Sequence, residues 1–314
     1  MRQAEWPAGR GRFGGGNAGA IRNLVDIQAC HSTKRISQAK ARLYLFPVTT
    51  QMRAIKAIII GAGRGRRLMP TTADTPKCFA EVKGRRLLDW ALQAFAEAGV
   101  SDICFIGGYQ IEKVRQDYPQ FIFRHNAGWE QNNILLSLMH AEDLMDQGFV
   151  CCYSDILFTS DVVRRVLDHP SEISLSVDTQ WLDRYVHRTQ HPPDDAEKVT
   201  VQNGCVTRIH RGIPTAQAYG EYTGIARFTA AGARQLREAF HRARAEFAGK
   251  PFREAAVFEK AYLIHLFQEM IERGVKMGHA DTPGNYMEVD TQEDFELARK
   301  FWTAPSAPEI KPSP

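Results

Sequence analysis

A short apolar run that ends in a loop rich in glycine and arginine constrains the fold of this chain most. Residues 57–60 read Ala-Ile-Ile-Ile, which is typical of a strand buried inside a parallel sheet. The loop that follows, residues 61–67, reads Gly-Ala-Gly-Arg-Gly-Arg-Arg. Glycines let a ligand approach main-chain N–H groups closely, and arginine side chains suit phosphate oxygens. Because Lys77 adds another cation soon afterwards, we expect the loop to hold a polyphosphate.

Three glycine motifs compete for this loop. A Walker A loop needs Lys and then Ser or Thr after its last glycine, but two arginines stand there. A Rossmann fingerprint needs its third glycine one residue later and a helix directly afterwards, whereas residues 69–74 do not have the pattern of a helix. The pattern G-x-G-x-R-L-x-P, followed by P-K, fits without a gap. Its fixed positions are Gly63, Gly65, Arg67, Leu68, Pro70, Pro76 and Lys77.

This compound motif resembles the signature of the nucleotidylyltransferases that activate sugar phosphates and small phospho-alcohols. The resemblance covers residues 52–302, and it is greatest to cytidylyltransferases that act on phosphocholine or 2-aminoethylphosphonate. The segments that carry it are residues 132–134 (Asn-Asn-Ile), 191–192 (His-Pro), 196–199 (Ala-Glu-Lys-Val), 220–225 (Gly-Glu-Tyr-Thr-Gly-Ile) and 288–290 (Glu-Val-Asp). The resemblance implies CTP and Mg²⁺ as partners of a small phosphonate or phospho-alcohol, with 2-hydroxyethylphosphonate as a further acceptor.

Apolar periodicity predicts alternating strands and helices, and hence an α/β fold with parallel strands. The resemblance implies a three-layer α/β/α, Rossmann-like (GT-A-like) arrangement around a mostly parallel mixed sheet with a small β insertion. The nucleotidylyltransferase domain spans residues 52–302, with an acceptor-binding insertion at about 178–228. Predicted strands are 57–60, 102–106, 121–123, 149–153, 174–177, 199–201, 206–209, 221–228, 275–278 and 286–289. Predicted helices are 87–98, 111–117, 134–145, 230–247, 254–273 and 292–302.

Charge is distributed unevenly along the chain. The net charge is +4, but residues 1–51 carry eight Lys or Arg and two acids, so the remainder is slightly acidic. We therefore expect residues 1–51 to be a disordered basic extension, and we expect no nucleic-acid surface on the domain. A transit peptide, an extension upstream of the functional start and a basic interaction tail remain alternatives for residues 1–51. Residues 303–314 form a proline-rich tail.

Composition also bears on the compartment. No apolar run reaches the length of a membrane span, which predicts a soluble protein without a membrane partner. The six cysteines show no CxxC spacing, which favours reduced, buried thiols and a cytoplasmic location. A homodimer is compatible with the sequence.

The nucleotide site is predicted at the carboxyl ends of the parallel strands. Nucleotide-binding candidates are Ala62, Gly63, Gly65, Gly108, Tyr109, Asn132 and Asn133. Arg67 and Lys77 are the catalytic candidates, since fixed cations neutralise charge on a triphosphate. Asp155 follows a buried strand and Asp290 follows another, so both are candidate ligands of Mg²⁺. Helix capping is the alternative role for the asparagines and for Asp290, and a turn or cap is the alternative for Asp155.

A small cationic acceptor would need carboxylates and an aromatic wall. The candidates are Asp178, Trp181, Tyr185, Glu221, Tyr222 and Glu288, with Lys198 placed to contact the phosphonate. Most of them fall in or beside residues 178–198, a polar, proline-bearing stretch that we expect to be a lid or acceptor loop.

The predicted reaction is nucleotidyl transfer to a phosphate or phosphonate oxygen. A sugar-1-phosphate nucleotidylyltransferase that uses another nucleotide and a catalytically silent nucleotide sensor remain alternatives. A nicotinamide-dependent oxidoreductase would need a ribose-binding acid at the end of the second strand, and Gly107-Gly108 stands there instead.

Overall fold

A nine-stranded sheet forms the centre of the computed structural model, which describes residues 55–303. The predicted extension 1–51 and almost all of the tail lie outside the described residues. The described strands are β1 (Lys56–Gly61), β2 (Glu81–Val82), β3 (Arg85–Arg86), β4 (Asp102–Gly107), β5 (Ile122–His125), β6 (Phe149–Tyr153), β7 (Ile156–Phe158), β8 (Ile173–Asp178), β9 (Lys198–Gln202), β10 (Cys205–Ile209), β11 (Gly220–Phe228), β12 (Gly278–Asp281) and β13 (Tyr286–Glu288).

The strand order in the large sheet is β5-β4-β1-β6-β11-β8-β12-β10-β9, with a further pairing of β9 to β11. Strands β5, β4, β1 and β6 are parallel neighbours. β11 pairs antiparallel with β6 and β8, and β10 pairs antiparallel with β12 and β9. Seven of the nine strands therefore run in one direction, and only β11 and β10 oppose them. The carboxyl ends of the seven strands share one edge with the beginning of β11.

Helices cover both faces of the sheet. The described α-helices are α1 (Leu87–Glu97), α2 (Ile111–Asp117), α3 (Ile134–Met139), α4 (Ser160–Asp168), α5 (Trp181–Tyr185), α6 (Ala230–Phe247), α7 (Leu263–Glu272) and α8 (Gln292–Phe301). Successive side chains of a strand point to opposite faces. Accordingly Ala57 and Ile59 pack in a cluster with α1 and α4, whereas Ile58 and Ile60 pack in another with α3, α6 and α7. Two apolar cores thus lie on the two faces of one sheet.

Three predicted elements have different bounds. The helix predicted at 134–145 ends at Met139, and a short 3-10 turn follows at Glu142–Leu144. The helix predicted at 254–273 begins only at Leu263, because Phe252 and Phe258 enter the core from an irregular segment. The strand predicted at 275–278 starts at Gly278, the first residue that pairs with β8. In each case an irregular segment carries buried apolar side chains, and its sequence therefore resembles that of a helix or a strand.

The predicted β insertion is corrected by the strand order. β9 and β10 form the expected hairpin, with Asn203 and Gly204 at positive φ in its turn. Yet β11, assigned to the insertion, lies in the middle of the large sheet between β6 and β8. Pairing with strands that are distant in the sequence sets the position of β11, so a local sequence pattern does not predict it. The prediction also missed β2, β3, β7, α4 and the short helix α5.

The cysteine prediction can be checked for residues 55–303. Cys78, Cys104, Cys151 and Cys152 are buried free thiols, and the free thiol Cys205 is partly buried. Cys30 lies outside the described residues. Within the same range, no helix has the length and apolar character needed to cross a membrane.

Candidate active site

A cavity of about 550 Å³ opens at the sheet edge where β1 and β6 end and β11 begins. The glycine-rich loop after β1 forms one side of it. The segments that follow β6 and β13 form the middle, and residues that precede β9, follow β10 and begin β11 form the far side. Segments that are distant in sequence therefore meet around one volume.

The glycine loop is fitted closely over Lys77. Gly65 has φ +67°, a conformation that favours glycine. A Cβ at this position would lie 2.8 Å from Lys77 Cδ. Thr72 Oγ1 donates a hydrogen bond of 2.8 Å to the Gly65 carbonyl and so fixes the loop from below. Ala62, Gly63, Gly65 and Arg67 all line the cavity, and their predicted contacts with a nucleotide stay predictions.

Lys77 joins the two predicted metal ligands. Its Nζ donates to Asp155 Oδ2 at 2.7 Å and to Asp290 Oδ1 at 2.7 Å, and the residue is 7% exposed. Burial alone would lower the pKa of Lys77, but the Asp155 and Asp290 carboxylates outweigh burial and raise it. Arg67 binds the other oxygen of Asp290. Burial opposes ionisation of Asp290, yet Lys77 and Arg67 hold its pKa below the usual value. Lys77 and Asp290 are therefore both ionised at neutral pH.

Gly108 and Tyr109 lie behind the loop and do not line the cavity. A Cβ on Gly108 would lie 2.7 Å from the Ala62 carbonyl oxygen and 2.7 Å from Trp129. The Tyr109 amide donates to Ala62 O at 2.9 Å, and its hydroxyl donates to Ala73 O at 3.0 Å. These contacts anchor the loop backbone, and direct nucleotide contact by Gly108 and Tyr109 stays a prediction.

The two asparagines line the cavity but are already partnered. Asn133 caps α3 by accepting from the Ile134 amide at 2.9 Å, which is the capping role left open by the sequence. The Asn132 and Asn126 side-chain amides exchange two hydrogen bonds of 2.8 Å. A role for them in holding the nucleotide stays a prediction.

The far side of the cavity is acidic and aromatic. Glu221, Tyr222 and Glu288 line it, and their predicted binding of the acceptor stays a prediction. Glu221 accepts from the Tyr185 hydroxyl at 2.8 Å and from Arg184, so its position is fixed. Burial and the neighbouring Asp290 carboxylate raise the pKa of Glu288 to about 8. Glu288 is therefore largely protonated near neutral pH, and a bound ammonium would favour its carboxylate form.

Four predicted acceptor contacts are corrected, because these side chains lie behind the cavity wall. Asp178 is 0% exposed and accepts from the amides of Gln180 (2.8 Å) and Gly284 (3.0 Å). Trp181 and Tyr185 pack with Ala196 in a small apolar cluster. Lys198 is 1% exposed and donates to the Pro193 carbonyl at 2.9 Å. All four support the segment that carries the wall.

Several wall residues were not predicted as site residues. They are Arg66, Trp129, Tyr153, His191, Asp195, Glu197, Arg211, Tyr262 and Tyr286. His191 and Glu197 fall inside segments that carried the family resemblance, so their presence there was a usable signal. Arg211 follows a hairpin without any motif, and only the folded chain brings it to Glu197, with Arg211 NH2 3.2 Å from Glu197 Oε1.

The donor set fits a divalent cation. Asp155 and Asp290 converge on one ammonium, and carboxylate oxygens are the hard donors that Mg²⁺ prefers. In the described part of the chain, one donor atom each of His191, Glu288 and Asp290 also lie within 4.8 Å of one another. A cation bound by Asp155 and Asp290 would compete with the Lys77 ammonium for the same oxygens.

A family model and several curated proteins match this chain. Residues 57–177 match the model of the MobA-like NTP transferase domain. A CTP:phosphoglutamine cytidylyltransferase of Campylobacter jejuni is 26% identical over 256 residues, which cover 77% of this chain and 98% of that protein. A 2-aminoethylphosphonate cytidylyltransferase of Lancefieldella rimae is 33% identical over 100 residues, which cover 30% of this chain and 41% of that protein.

A solved structure supports the fold. The inositol-1-phosphate CTP transferase from T. maritima superposes with a TM-score of 0.60 and 23% identity, covering 79% of this chain and 97% of that one. The Rossmann-like α/β class predicted from the sequence is thereby confirmed. By these matches the chain is a transferase, and its residues 57–177 are similar to the MobA-like NTP transferase domain.

Proposed function

We propose that this enzyme transfers a cytidylyl group from CTP to a small phosphonate or phosphomonoester that carries an amine. The products are the CMP-activated acceptor and pyrophosphate. The observation that carries the proposal is the sharing of one lysine ammonium by Asp155 and Asp290 between a glycine loop and an acidic wall. Such an arrangement provides cations for a triphosphate on one side and carboxylates for an amine on the other.

The chemical step needs no general base. A phosphate monoester has a second pKa of about 6, so the attacking oxygen is already an anion near neutral pH. This oxygen forms a bond to the α-phosphorus of CTP. The bond from the α-phosphorus to the oxygen that bridges to the β-phosphate breaks, and pyrophosphate leaves with the electron pair. Catalysis then consists of positioning and charge neutralisation.

The residues divide this work between them. The loop N–H groups and Arg67 would hold the β- and γ-phosphates, and Lys77 would neutralise charge on the α-phosphate or the acceptor. Asp155 and Asp290 would hold Mg²⁺, which when bound supplies charge neutralisation to the reacting phosphates. Arg67 and Lys77 are oriented by Asp290 before any ligand arrives, so less reorganisation is needed on binding.

The acceptor is proposed from the acidic wall and the relatives. Glu221 and Glu288 would face an ammonium, and Tyr222 lies beside them in the wall. Cytidylyltransferases named for phosphoglutamine and 2-aminoethylphosphonate are among the relatives, which supports CTP and an amine-bearing acceptor. Phosphocholine belongs to the same class of cationic acceptor. A neutral sugar phosphate would leave these carboxylates without a cationic partner.

The test is pyrophosphate release with Mg²⁺ across CTP, UTP, dTTP, ATP and GTP. The acceptors are phosphocholine, 2-aminoethylphosphonate, 2-hydroxyethylphosphonate, phosphoglutamine and glucose 1-phosphate. We expect release with CTP and at least one amine-bearing acceptor. Asp155→Asn serves as the inactive control, since it removes a proposed metal ligand at the cavity.

Other outcomes would redirect the proposal. Release only with glucose 1-phosphate would keep the reaction type and refute the cationic acceptor. Binding of a nucleotide without release for any acceptor would favour a catalytically silent sensor.

A further inference from the structure

The acidic wall of the cavity contains one arginine that the proposed reaction does not use. Among the described residues that line the cavity, the arginine and lysine side chains are Arg66, Arg67, Lys77 and Arg211. The first three belong to the glycine loop and its neighbour. Arg211 follows β10 and contacts Glu197 and Tyr262. Lys77 contacts Asp155 and Asp290, so Lys77 and Arg211 have different acidic partners.

Arg211 is held rigidly from two sides. Its NH2 donates to Glu197 Oε1 at 3.2 Å, and its guanidinium carbon lies 4.4 Å from the centre of the Tyr262 ring. Glu197 in turn accepts from the Tyr153 hydroxyl at 3.4 Å. A stacked guanidinium with a fixed orientation loses little freedom when it binds a further group.

The guanidinium of Arg211 has hydrogen-bonding capacity to spare. It carries five N–H donors. Its Nε is buried without a hydrogen-bond partner, and its NH2 is engaged by Glu197. The side chain is 39% exposed and lines the cavity, so the remaining donors are accessible to a ligand. A forked set of N–H donors suits a carboxylate, which can accept two parallel hydrogen bonds.

Acidic side chains on the same wall as Arg211 provide a site for an ammonium group. Glu221 and Glu288 lie on the same wall, and Glu197 is neutralised by Arg211 itself. The wall therefore offers an arginine for an anion beside carboxylates for a cation. We propose that Arg211 binds a carboxylate of the acceptor, and that the preferred acceptor is an amino-acid-like phosphonate or phosphate with both an ammonium and a carboxylate.

This inference rests on the proposed cytidylyl transfer and specifies its acceptor. It assigns Arg211 to specificity and leaves the chemical step to the residues around Lys77. A carboxylate in the acceptor would replace the water that otherwise solvates the guanidinium. An acceptor without one would leave those donors unpaired in a partly buried site, which disfavours it.

Matched acceptors that differ only by the carboxylate provide the test. One pair is 2-aminoethylphosphonate and 2-amino-3-phosphonopropionate, and a longer pair is 3-aminopropyl phosphate and O-phosphohomoserine. With CTP and Mg²⁺, we expect kcat/KM to be at least about tenfold higher for the carboxylated member of one pair. This comparison uses the unaltered enzyme and needs no variant.

Variants then assign the preference to Arg211. Arg211→Gln should lower kcat/KM for the carboxylated acceptor by about 10²-fold and change that of its partner little. Arg208→Gln, on the exposed face of β10, is the matched control and should leave both values unchanged. Because Arg211→Gln leaves Glu197 buried without its cation, the double variant Arg211→Gln/Glu197→Gln provides a neutral pair in case the single variant unfolds.

Three results would overturn the inference. The first is equal or better use of the acceptor without the carboxylate, which leaves the proposed function intact. The second is an equal loss for both members in the Arg211 variants, which would assign Arg211 to the shared phosphorus group. The third is no pyrophosphate release with any acceptor, in which case the proposed function fails as well.

Discussion

Replacement of Lys77 by methionine tests the centre of the site most directly. The two carboxylates lie 2.7 Å from Nζ, and each gross attraction is about 6 kcal/mol at an effective dielectric constant of about 20. Desolvation offsets much of this attraction, so removal of one partner from a buried pair costs about 3–5 kcal/mol. The Asp155 side chain is 25% exposed, which favours the lower end. In a domain of this size, about 3 kcal/mol corresponds to a fall in Tm of about 6–12 °C.

Lys77→Met should lower kcat by more than its loss of stability explains. Loss of a preorganised charge-stabilising group lowers kcat by about 10²–10³-fold, which corresponds to about 2.7–4 kcal/mol. The assay is pyrophosphate release at a temperature at which the variant remains folded. Lys56→Met is the matched control. Lys56 pairs with the 58% exposed Asp102 carboxylate near the start of β1, and such exposed pairs contribute only about 0–1 kcal/mol.

Addition of Mg²⁺ distinguishes loss of charge from loss of packing as the cause of the lower stability of Lys77→Met. Without the ammonium, Asp155 and Asp290 repel each other, and Asp155 loses the cation that competes with a metal, while Arg67 still binds Asp290. Added Mg²⁺ should therefore raise the Tm of Lys77→Met more than that of the unaltered enzyme. Wild-type turnover in Lys77→Met would refute the assignment of Lys77. An equal Mg²⁺ shift in both proteins would refute the competition between ammonium and metal.

The remaining predictions concern the residues around this centre. Asp155→Asn should abolish magnesium-dependent turnover with an unchanged circular dichroism spectrum, and near-wild-type rates in a Mg²⁺ titration would remove it from the metal site. Gly65→Ala and Gly84→Ala both place alanine at positive φ, at a cost of about 1–2 kcal/mol each. Only Gly65→Ala should lower kcat, because its Cβ displaces Lys77 while the Gly84 position is open; equal kcat values in the two variants would contradict this. Asp178→Asn should lower the free energy of unfolding by about 3–5 kcal/mol in urea titrations, since it weakens a buried ion pair with Arg184. It should leave the acceptor KM unchanged, and a raised KM without a stability loss would return Asp178 to the acceptor site.

Local sequence was sufficient for the phosphate side of the site. The glycine loop and Asp155 follow β1 and β6, and parallel strands bring their ends to one edge. Asp290 follows β13, which pairs antiparallel with β7 in a separate two-stranded sheet, and this pairing brings Asp290 to Asp155.

The acceptor side could not be predicted in the same way. Asp178 and Lys198 were chosen as polar residues in a polar segment, yet both are buried. Asp178 binds the Gly284 amide 106 positions away, and Lys198 satisfies its ammonium with nearby carbonyls. Arg211 has no motif around it, and its role depends on contacts with Glu197 and Tyr262 that exist only in the folded chain. Polarity alone does not distinguish a ligand contact from a buried structural partner.

The reversed direction of β11 has a consequence for how substrate choice can change in such enzymes. The proposed phosphate-binding loop follows β1 and Asp155 follows β6, so both are encoded immediately downstream of parallel strands. Glu221 and Tyr222 stand at the start of an antiparallel strand, and the segment that supports them, residues 179–219, is encoded upstream of it. Substitutions or length changes in that segment can reshape the acceptor wall while the glycine loop, Lys77 and Asp155 keep their sequence and their frame. The proposed acceptor wall and the proposed nucleotide-binding residues can therefore change independently of each other in sequence.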